Sequence, residues 1–246
     1  HRDLHSFPTR RSSDLQASFF TSGGLAAVHS SGRDRQSIWD SMIRKETYGT
    51  SGDRILLWFD LVNGEERISM GGEISTTENP KFIVKAIGSL KQKPGCPDYS
   101  DTKITKEDIA RICKNECYNP SDERKIISRI EVIKISPQIN PGEKVDNLIE
   151  DPWKVIDCPL DQNGCEISFE DTSYSENQRD VSFYVRAIQE PSPSVNAKNI
   201  RCEYNEKGEC IKVNMCYGDN RTAKDDDCLS MIEERAWSSP IFVDYL

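Results

Sequence analysis

DVSFYVRAIQE, residues 180–190, places apolar side chains at every second position: Val181, Phe183, Val185 and Ala187. Successive side chains of a β-strand point to opposite faces, so this stretch reads as a strand with one buried face. The alternation recurs in KFIVKAIGS (81–89), through Phe82, Val84 and Ala86, and in RIEVIKIS (129–136), through Ile130 and Val132. CEISFED (165–171) and SSPIFVDY (238–245) continue it. Alternating strands joined by Pro- and Gly-rich connections predict an antiparallel β-sandwich. One helix interrupts them, TKEDIARICKNE (105–116), with Thr105 as its N-cap and Ile109, Ile112 and Cys113 on one side.

Upstream the period changes. GGLAAVHSS (23–31) reads as a short buried strand from Leu25 to His29. SGRDRQSIWDSMIRKE (31–46) reads as a helix, because Ile38, Trp39, Met42 and Ile43 recur at helical spacing; Ser30 or Ser31 is the expected cap. YGTSGDR (48–54) is a glycine-rich turn and RILLWFDLV (54–62) a strand. Strand, helix, strand over 22–62 suits the last unit of an α/β barrel. The border with the β-rich region falls near NGEERISMGGE (63–73), which divides the chain into 16–65 and 66–246.

The first fifteen residues, HRDLHSFPTRRSSDL, stand apart. The opening His-Arg-Asp-Leu lacks the asparagine a kinase catalytic loop needs, since Pro8 occupies that place. The stretch has no apolar run of the kind a signal peptide carries. It can be written codon by codon from a short-read sequencing adapter, so residues 1–15 are expected to be non-native and are excluded from the fold argument. They take His1 and His5 with them and leave His29 as the single histidine.

The chain carries a net charge of −9. The excluded stretch holds three arginines against two aspartates, so the remainder stands at −10. Phosphate backbones are gripped by clustered Lys and Arg, so nucleic acid is an unsuitable partner. No apolar run reaches the roughly 18–20 residues of a membrane-spanning helix.

Nine cysteines, absent from 16–95, are frequent afterwards. Cys158 and Cys165 flank PLDQNG, and Cys202 and Cys210 flank EYNEKGE; both intervals read as hairpins whose strands bring the thiols within disulfide range. Cys216 and Cys228 can close YGDNRTAKDDD in the same way, and Cys96 is left to pair with Cys113 or Cys117. No Cys-x-x-Cys pair suggests zinc. Disulfides imply a periplasmic or extracellular protein.

Several stretches together resemble a large uncharacterised bacterial family, a domain of unknown function distantly similar to PHP-type (polymerase and histidinol phosphatase) metallohydrolases. They are GGLAAVHSSGRDRQSIWDSMIRKETYGTSGDRILLWFDL, KAIGSLKQKPGCPDY, CYNPSDERKIISRIEVIKI, LIEDPWKVIDCP, FYVRAIQEPSPSVNAKNIRCEY, CYGDNRT and ERAWSSPIFVDY. The resemblance implies that 16–65 is the C-terminal piece of a PHP-like α/β barrel and that 66–246 is a disulfide-braced β-sandwich-like domain. It also implies an upstream half-barrel bearing Gly-Asp-Leu-His-x-His and Asp-x-His segments, which would hold zinc or manganese and act on a small-molecule phosphoester or related ester. Neither segment occurs here, so this chain is expected to bind no metal and to be inactive alone. The missing N-terminal part of the barrel is its expected partner.

Candidate sites follow, each beside its plainer alternative. His29 ends the strand expected to belong to the barrel, where an imidazole binds metal or moves a proton; otherwise it is a histidine hydrogen-bonded at a strand end. Arg33 or Arg35, near a helix start, can hold an anionic substrate; otherwise it is a solvated charge. Thr50, Ser51 and Arg54 in YGTSGDR can line the same cleft; otherwise the turn is a connection needing glycine. Asp219, Asp225, Asp226 and Asp227 offer calcium an oxygen-rich loop without EF-hand spacing, or form a solvated acidic loop. Arg235 and Trp237 read as structural. A non-catalytic extracellular module that binds a partner or a glycan is the alternative to a hydrolase fragment.

Overall fold

A computed structural model describes residues 23–97, 105–113, 117–195, 202–213 and 229–246. In chain order the first strands and helix are β1 (Leu25–Val28), α1 (Arg35–Ile43), β2 (Thr47–Thr50), β3 (Leu56–Asn63), β4 (Glu66–Ser69), β5 (Glu73–Thr76), β6 (Lys81–Ile87) and β7 (Leu90–Gln92). Then come α2 (Lys106–Cys113), β8 (Pro120–Arg124), β9 (Ile127–Ile135), β10 (Ile149–Asp157), β11 (Cys165–Glu170) and α3 (Tyr174–Asn177). The chain closes with β12 (Val181–Val195), β13 (Cys202–Tyr204), β14 (Cys210–Val213), β15 (Leu229–Ser238) and β16 (Ile241–Tyr245). The strands expected at 81–89, 129–136, 165–171, 180–190 and 238–245 are all present, as β6, β9, β11, β12 and β16.

Two sheets face each other. The larger is built on β12. One edge of β12 pairs with β9, which pairs in turn with β10. The other edge pairs with β16 at Val181–Phe183 and with β15 from Arg186 onward. β15 continues to β2 and β1, and β16 takes β5 as a parallel neighbour. The smaller sheet runs β11-β6-β3-β4 and is antiparallel throughout. Between the sheets lie Phe59, Phe82 and Val84 from one side, and Ile130, Val132, Phe183, Val185, Ala187, Ile241 and Val243 from the other. The rings of Phe82 and Phe183 meet across the gap at 4.8 Å between centroids. Lys134 and Asp171, both buried, pair at 2.6 Å and tie β9 to the end of β11. At that depth each charge depends on the other.

The strand-helix-strand expectation over 22–62 is corrected. β1 and β2 pair antiparallel, Leu25 opposite Thr50 and Val28 opposite Thr47, whereas a barrel unit pairs its strands in parallel. Part of the stretch read as a turn, Thr47–Thr50, is therefore a strand, and β3 belongs to the other sheet. The reversal follows α1 and passes through Lys45, whose φ of 59° is left-handed. Residues on either side of position 65 share one sheet, because Asn63 pairs with Glu66 across the β3–β4 hairpin. The cap of α1 is Asp34 rather than Ser30 or Ser31: its carboxylate accepts from the Ser37 N–H at 3.0 Å. Thr105 caps α2 as expected, accepting from the Asp108 N–H at 3.1 Å.

Three disulfides occur among the described residues: Cys96–Cys117, Cys158–Cys165 and Cys202–Cys210. Cys96 thus takes Cys117 rather than Cys113. Cys202–Cys210 lies on a true hairpin, β13 against β14. Cys158–Cys165 does not. β10 belongs to the large sheet and β11 to the small one, so this bridge clamps the crossing from one layer to the other. Gly164 sits in that crossing at φ 108°, where an added Cβ would stand 2.5 Å from the Ala86 carbonyl oxygen. The expected Cys216–Cys228 bridge, the aspartates 219 and 225–227, residues 1–15 and the Cys113 side chain all lie outside the described residues.

Candidate functional site

A cleft opens where the turn after α1 meets the end of β4. β3 contributes Trp58 and Asp60 in the sequence LLWFDLVN, where a carboxylate interrupts an apolar run. Asp60 is buried, and its register partner on β4 is Ser69. Ser69 Oγ donates to Asp60 Oδ1 at 2.7 Å, and Arg67 Nη2 donates to Asp60 Oδ2 at 2.7 Å. These bonds satisfy a carboxylate that burial would otherwise penalise. The Asp60 carboxylate in turn raises the pKa of the Arg67 guanidinium, which stays charged.

The opposite wall comes from residues 44–46. Arg44 Nε and Nη2 hold the two oxygens of Glu46 at 2.9 and 3.0 Å, and Nη2 also reaches Ser41 Oγ at 3.2 Å. The wall lies close against the β4–β5 connection at Gly71, whose φ is 89°. A Cβ there would stand 2.4 Å from the Lys45 carbonyl oxygen, so only glycine permits the approach.

His29 follows β1, with its backbone N–H bonded to the Glu46 carbonyl at 2.9 Å. Its ring Nε2 lies 2.8 Å from the Leu57 carbonyl oxygen. A carbonyl only accepts, so Nε2 carries a hydrogen. The ring sits among Tyr48 at 5.4 Å and Trp58 at 5.6 Å between centroids. Two adjoining hollows result. One, of about 230 Å³, is lined by His29, Glu46, Trp58 and Asp60; the other, of about 410 Å³, by Arg44, Lys45, Glu46, Arg67 and Glu73. Glu46, Ser69 and Met70 belong to both.

The remaining candidates from the sequence are elsewhere. Arg33 is exposed ahead of α1. Thr50 and Ser51 end β2, whereas His29 is level with its start; at ~3.3 Å per strand residue the separation is about 15 Å. Thr50 is buried. Ser51 Oγ donates to Glu234 and accepts from the Arg235 N–H at 2.9 Å. The Arg54 guanidinium lies 3.9 Å over the Tyr118 ring, next to the Cys96–Cys117 bridge. His29 therefore does not share a cleft with Thr50, Ser51 or Arg54, because the antiparallel β1–β2 pairing sends them to opposite ends.

The Ser51 end has its own polar network. Asp53 Oδ2 accepts from Lys125 Nζ at 2.7 Å, Ser89 Oγ at 3.0 Å and Gln189 Nε2 at 2.5 Å. Lys125 Nζ also donates to Ser192 Oγ at 3.0 Å, and Gln189 Oε1 accepts from the Ser89 N–H at 2.9 Å. Burial pushes the nearby Glu234 carboxyl above its ordinary pKa; the Ser51 hydrogen bond opposes that shift, and the Asp53 charge adds to it. The network fastens the 51–53 turn to β12 and β15. Its donors and acceptors satisfy one another, which marks it as a structural clasp.

Sequence reasoning missed Glu46, Trp58, Asp60 and Arg67. Asp60 had a legible signal, a lone charge within LLWFDLVN. Arg67 and Glu46 had none, since their partners come from the strand register and from a turn. Among the described residues no three His, Cys, Asp or Glu side chains are grouped to hold a metal ion, so His29, Glu46 and Asp60 line one hollow without converging.

A family model described as "Protein of unknown function (DUF3604)" matches residues 3–94, under half of the chain. The match supports similarity to an uncharacterised family and begins within the stretch read as adapter. No curated protein and no solved structure matches the chain.

Proposed function

We propose that this chain is the C-terminal, β-rich part of an exported PHP-like hydrolase that acts on a phosphoester or related ester, with zinc or manganese held by an upstream barrel. The observation that carries the reading is the apolar face of α1. Trp39, Met42 and Ile43 are 57, 53 and 63% exposed, side by side at helical spacing, and Ile43 lines the larger hollow. Contiguous exposed apolar surface marks a contact site, and an upstream barrel is the occupant that the family resemblance supplies. The disulfides suit an exported protein, and among the described residues no helix is long and apolar enough to cross a membrane. In this reading His29 and Arg33 would face substrate, and a metal held by the upstream barrel would supply polarisation of the ester and activation of water.

The test compares this chain with a longer product recovered from the source gene, assaying both for metal content and for turnover of generic phosphoesters with manganese or zinc. The longer protein is expected to bind metal stoichiometrically and to turn over; this chain is expected to do neither. Clear turnover by this chain alone, or a longer protein without metal, sinks the reading.

A second reading, a non-catalytic extracellular binding module, is favoured by one observation. Four charged groups of the cleft are held in two ion pairs, Arg44 with Glu46 and Arg67 with Asp60, as suits recognition more than proton transfer.

A further inference from the structure

The two hollows beside His29 have a chemistry that neither the family match nor the hydrolase reading assigns. Arg44, Lys45 and Arg67 stand against Glu46, Asp60 and Glu73, so the formal charges of the walls cancel. Such a site attracts neither an anion nor a cation by its net field. Its hydrogen-bonding capacity is nonetheless only partly used. Among the described residues Arg67 commits one N–H, to Asp60, out of the five a guanidinium carries. Among the described residues the Glu46 carboxylate accepts two side-chain hydrogen bonds, both from Arg44, which leaves further lone pairs on each oxygen. His29 adds a second ring nitrogen, Nδ1, beyond the Nε2 held by the Leu57 carbonyl.

We propose that this cleft binds a neutral saccharide unit. Vicinal hydroxyls both donate and accept, which matches a carboxylate and a guanidinium placed side by side and already held in position. An anion approaching either guanidinium would instead meet the Glu46 or Asp60 carboxylate already beside it. Trp58, half-buried, lines the smaller hollow with an indole ring of the kind that packs against the C–H face of a pyranose. The groups are preorganised: Asp60 is fixed by Ser69 and Arg67, and Glu46 by Arg44, so little ordering accompanies binding. The larger hollow, about 410 Å³, lies within the size range of small-ligand sites. The inference concerns binding by this chain and stands whether or not a longer protein is a hydrolase.

The test uses the full chain with the methyl glycosides of glucose, galactose, mannose and N-acetylglucosamine, and with maltose and cellobiose. Binding is followed by saturation-transfer NMR and calorimetry, with inorganic phosphate as the charged competitor. At least one neutral glycoside is expected to bind saturably with 1:1 stoichiometry. Trp58→Ala should weaken it about tenfold or more and Arg67→Gln about fivefold, as for residues at the centre of a contact. Trp58→Phe, which keeps a ring, should stay within about threefold. Trp39→Ala should leave the affinity unchanged, and equimolar phosphate should not compete. Thermal unfolding of each variant checks that it is folded; if Trp58→Ala is not, Arg67→Gln and Trp58→Phe decide. Absence of binding by every glycoside, displacement by phosphate, or affinity lost in Trp39→Ala but not in Arg67→Gln overturns the proposal.

Discussion

Two regions carry apolar side chains at regular spacing and meet opposite fates. Phe59, Phe82 and Phe183 are essentially inaccessible between the two sheets. Trp39, Met42 and Ile43 on α1 stay more than half exposed. Periodicity says that a face is apolar; it does not say that anything lies against it. In the sandwich the second layer is supplied by the same chain, with Phe82 of the small sheet meeting Phe183 of the large one across the core. At the β1–α1–β2 margin the helix makes few contacts, and the polar walls of the His29 cleft begin where the packing ends. The interior is thus a place of mutual burial, and the margin is where the chain offers surface to something else.

The strongest test of that contrast is Phe82→Ala, which should cost about 3–5 kcal/mol because it removes stacking with Phe59, Phe169 and Phe183 and leaves a cavity. Urea unfolding followed by circular dichroism measures it. A loss under about 1 kcal/mol would mean that the sheets are not packed as described. Next is Asp171→Ala, which strands the buried Lys134 ammonium and should cost about 3 kcal/mol in the same measurement; Lys134→Met combined with it should recover much of that loss.

The disulfides sharpen the comparison further. Cys158→Ser with Cys165→Ser should cost about 2 kcal/mol, since the bridge clamps the two layers at a buried crossing. The same change at Cys202 and Cys210, on the β13–β14 hairpin, should leave the global midpoint nearly unchanged. Equal effects would show that the hairpin is part of the cooperative unit.

A smaller effect is expected from Glu234→Gln. Burial holds the Glu234 carboxyl above its ordinary value of 4.5, so the folded chain retains a proton that the unfolded chain releases. The wild-type chain therefore loses stability as pH rises from 4.5 through that raised value. The glutamine variant lacks this loss and should gain on wild type between pH 4.5 and 7. Glu143, held down to about 2 chiefly by its hydrogen bond from Arg179, acts in the opposite direction: its contribution is present above 4.5 and disappears as pH falls through about 2. Urea midpoints across pH separate the two, and a pH-independent difference between Glu234→Gln and wild type would rule out the buried-carboxyl account. The smallest change is Trp39→Ala, expected within about 0.5 kcal/mol of wild type as for an exposed residue. A cost near that of Phe82→Ala would erase the contrast between margin and core.

Much of the sandwich was legible. Alternation at Val181, Phe183, Val185 and Ala187 specified both the strand and its inward face, because a period of two leaves one choice of face once one set is apolar. The bridges at 158–165 and 202–210 were legible from short spacing around glycine turns. The hairpin geometry assumed for the first was not, because a turn signal does not say whether the chain returns to the same sheet or crosses to another. Of the cleft, His29 was singled out as a lone imidazole, and Asp60 was visible as a charge among apolar neighbours. Thr50, Ser51 and Arg54 were expected beside His29 and lie at the far end of β2, since strand direction decides which neighbours in sequence become neighbours in space.

By itself the sequence determined local character: which stretches extend, which faces are apolar, where cysteines can meet and that the surface is acidic. These follow from side-chain periods and short-range spacing, which act within a few residues. Tertiary structure alone decided that β1 runs against β2, that the Cys158–Cys165 bridge joins two layers, and that Glu46, Trp58 and Asp60 line one hollow with His29. Those outcomes depend on pairing between segments distant in the chain, where the free energy of burying two complementary faces selects one arrangement among several that local preferences allow equally.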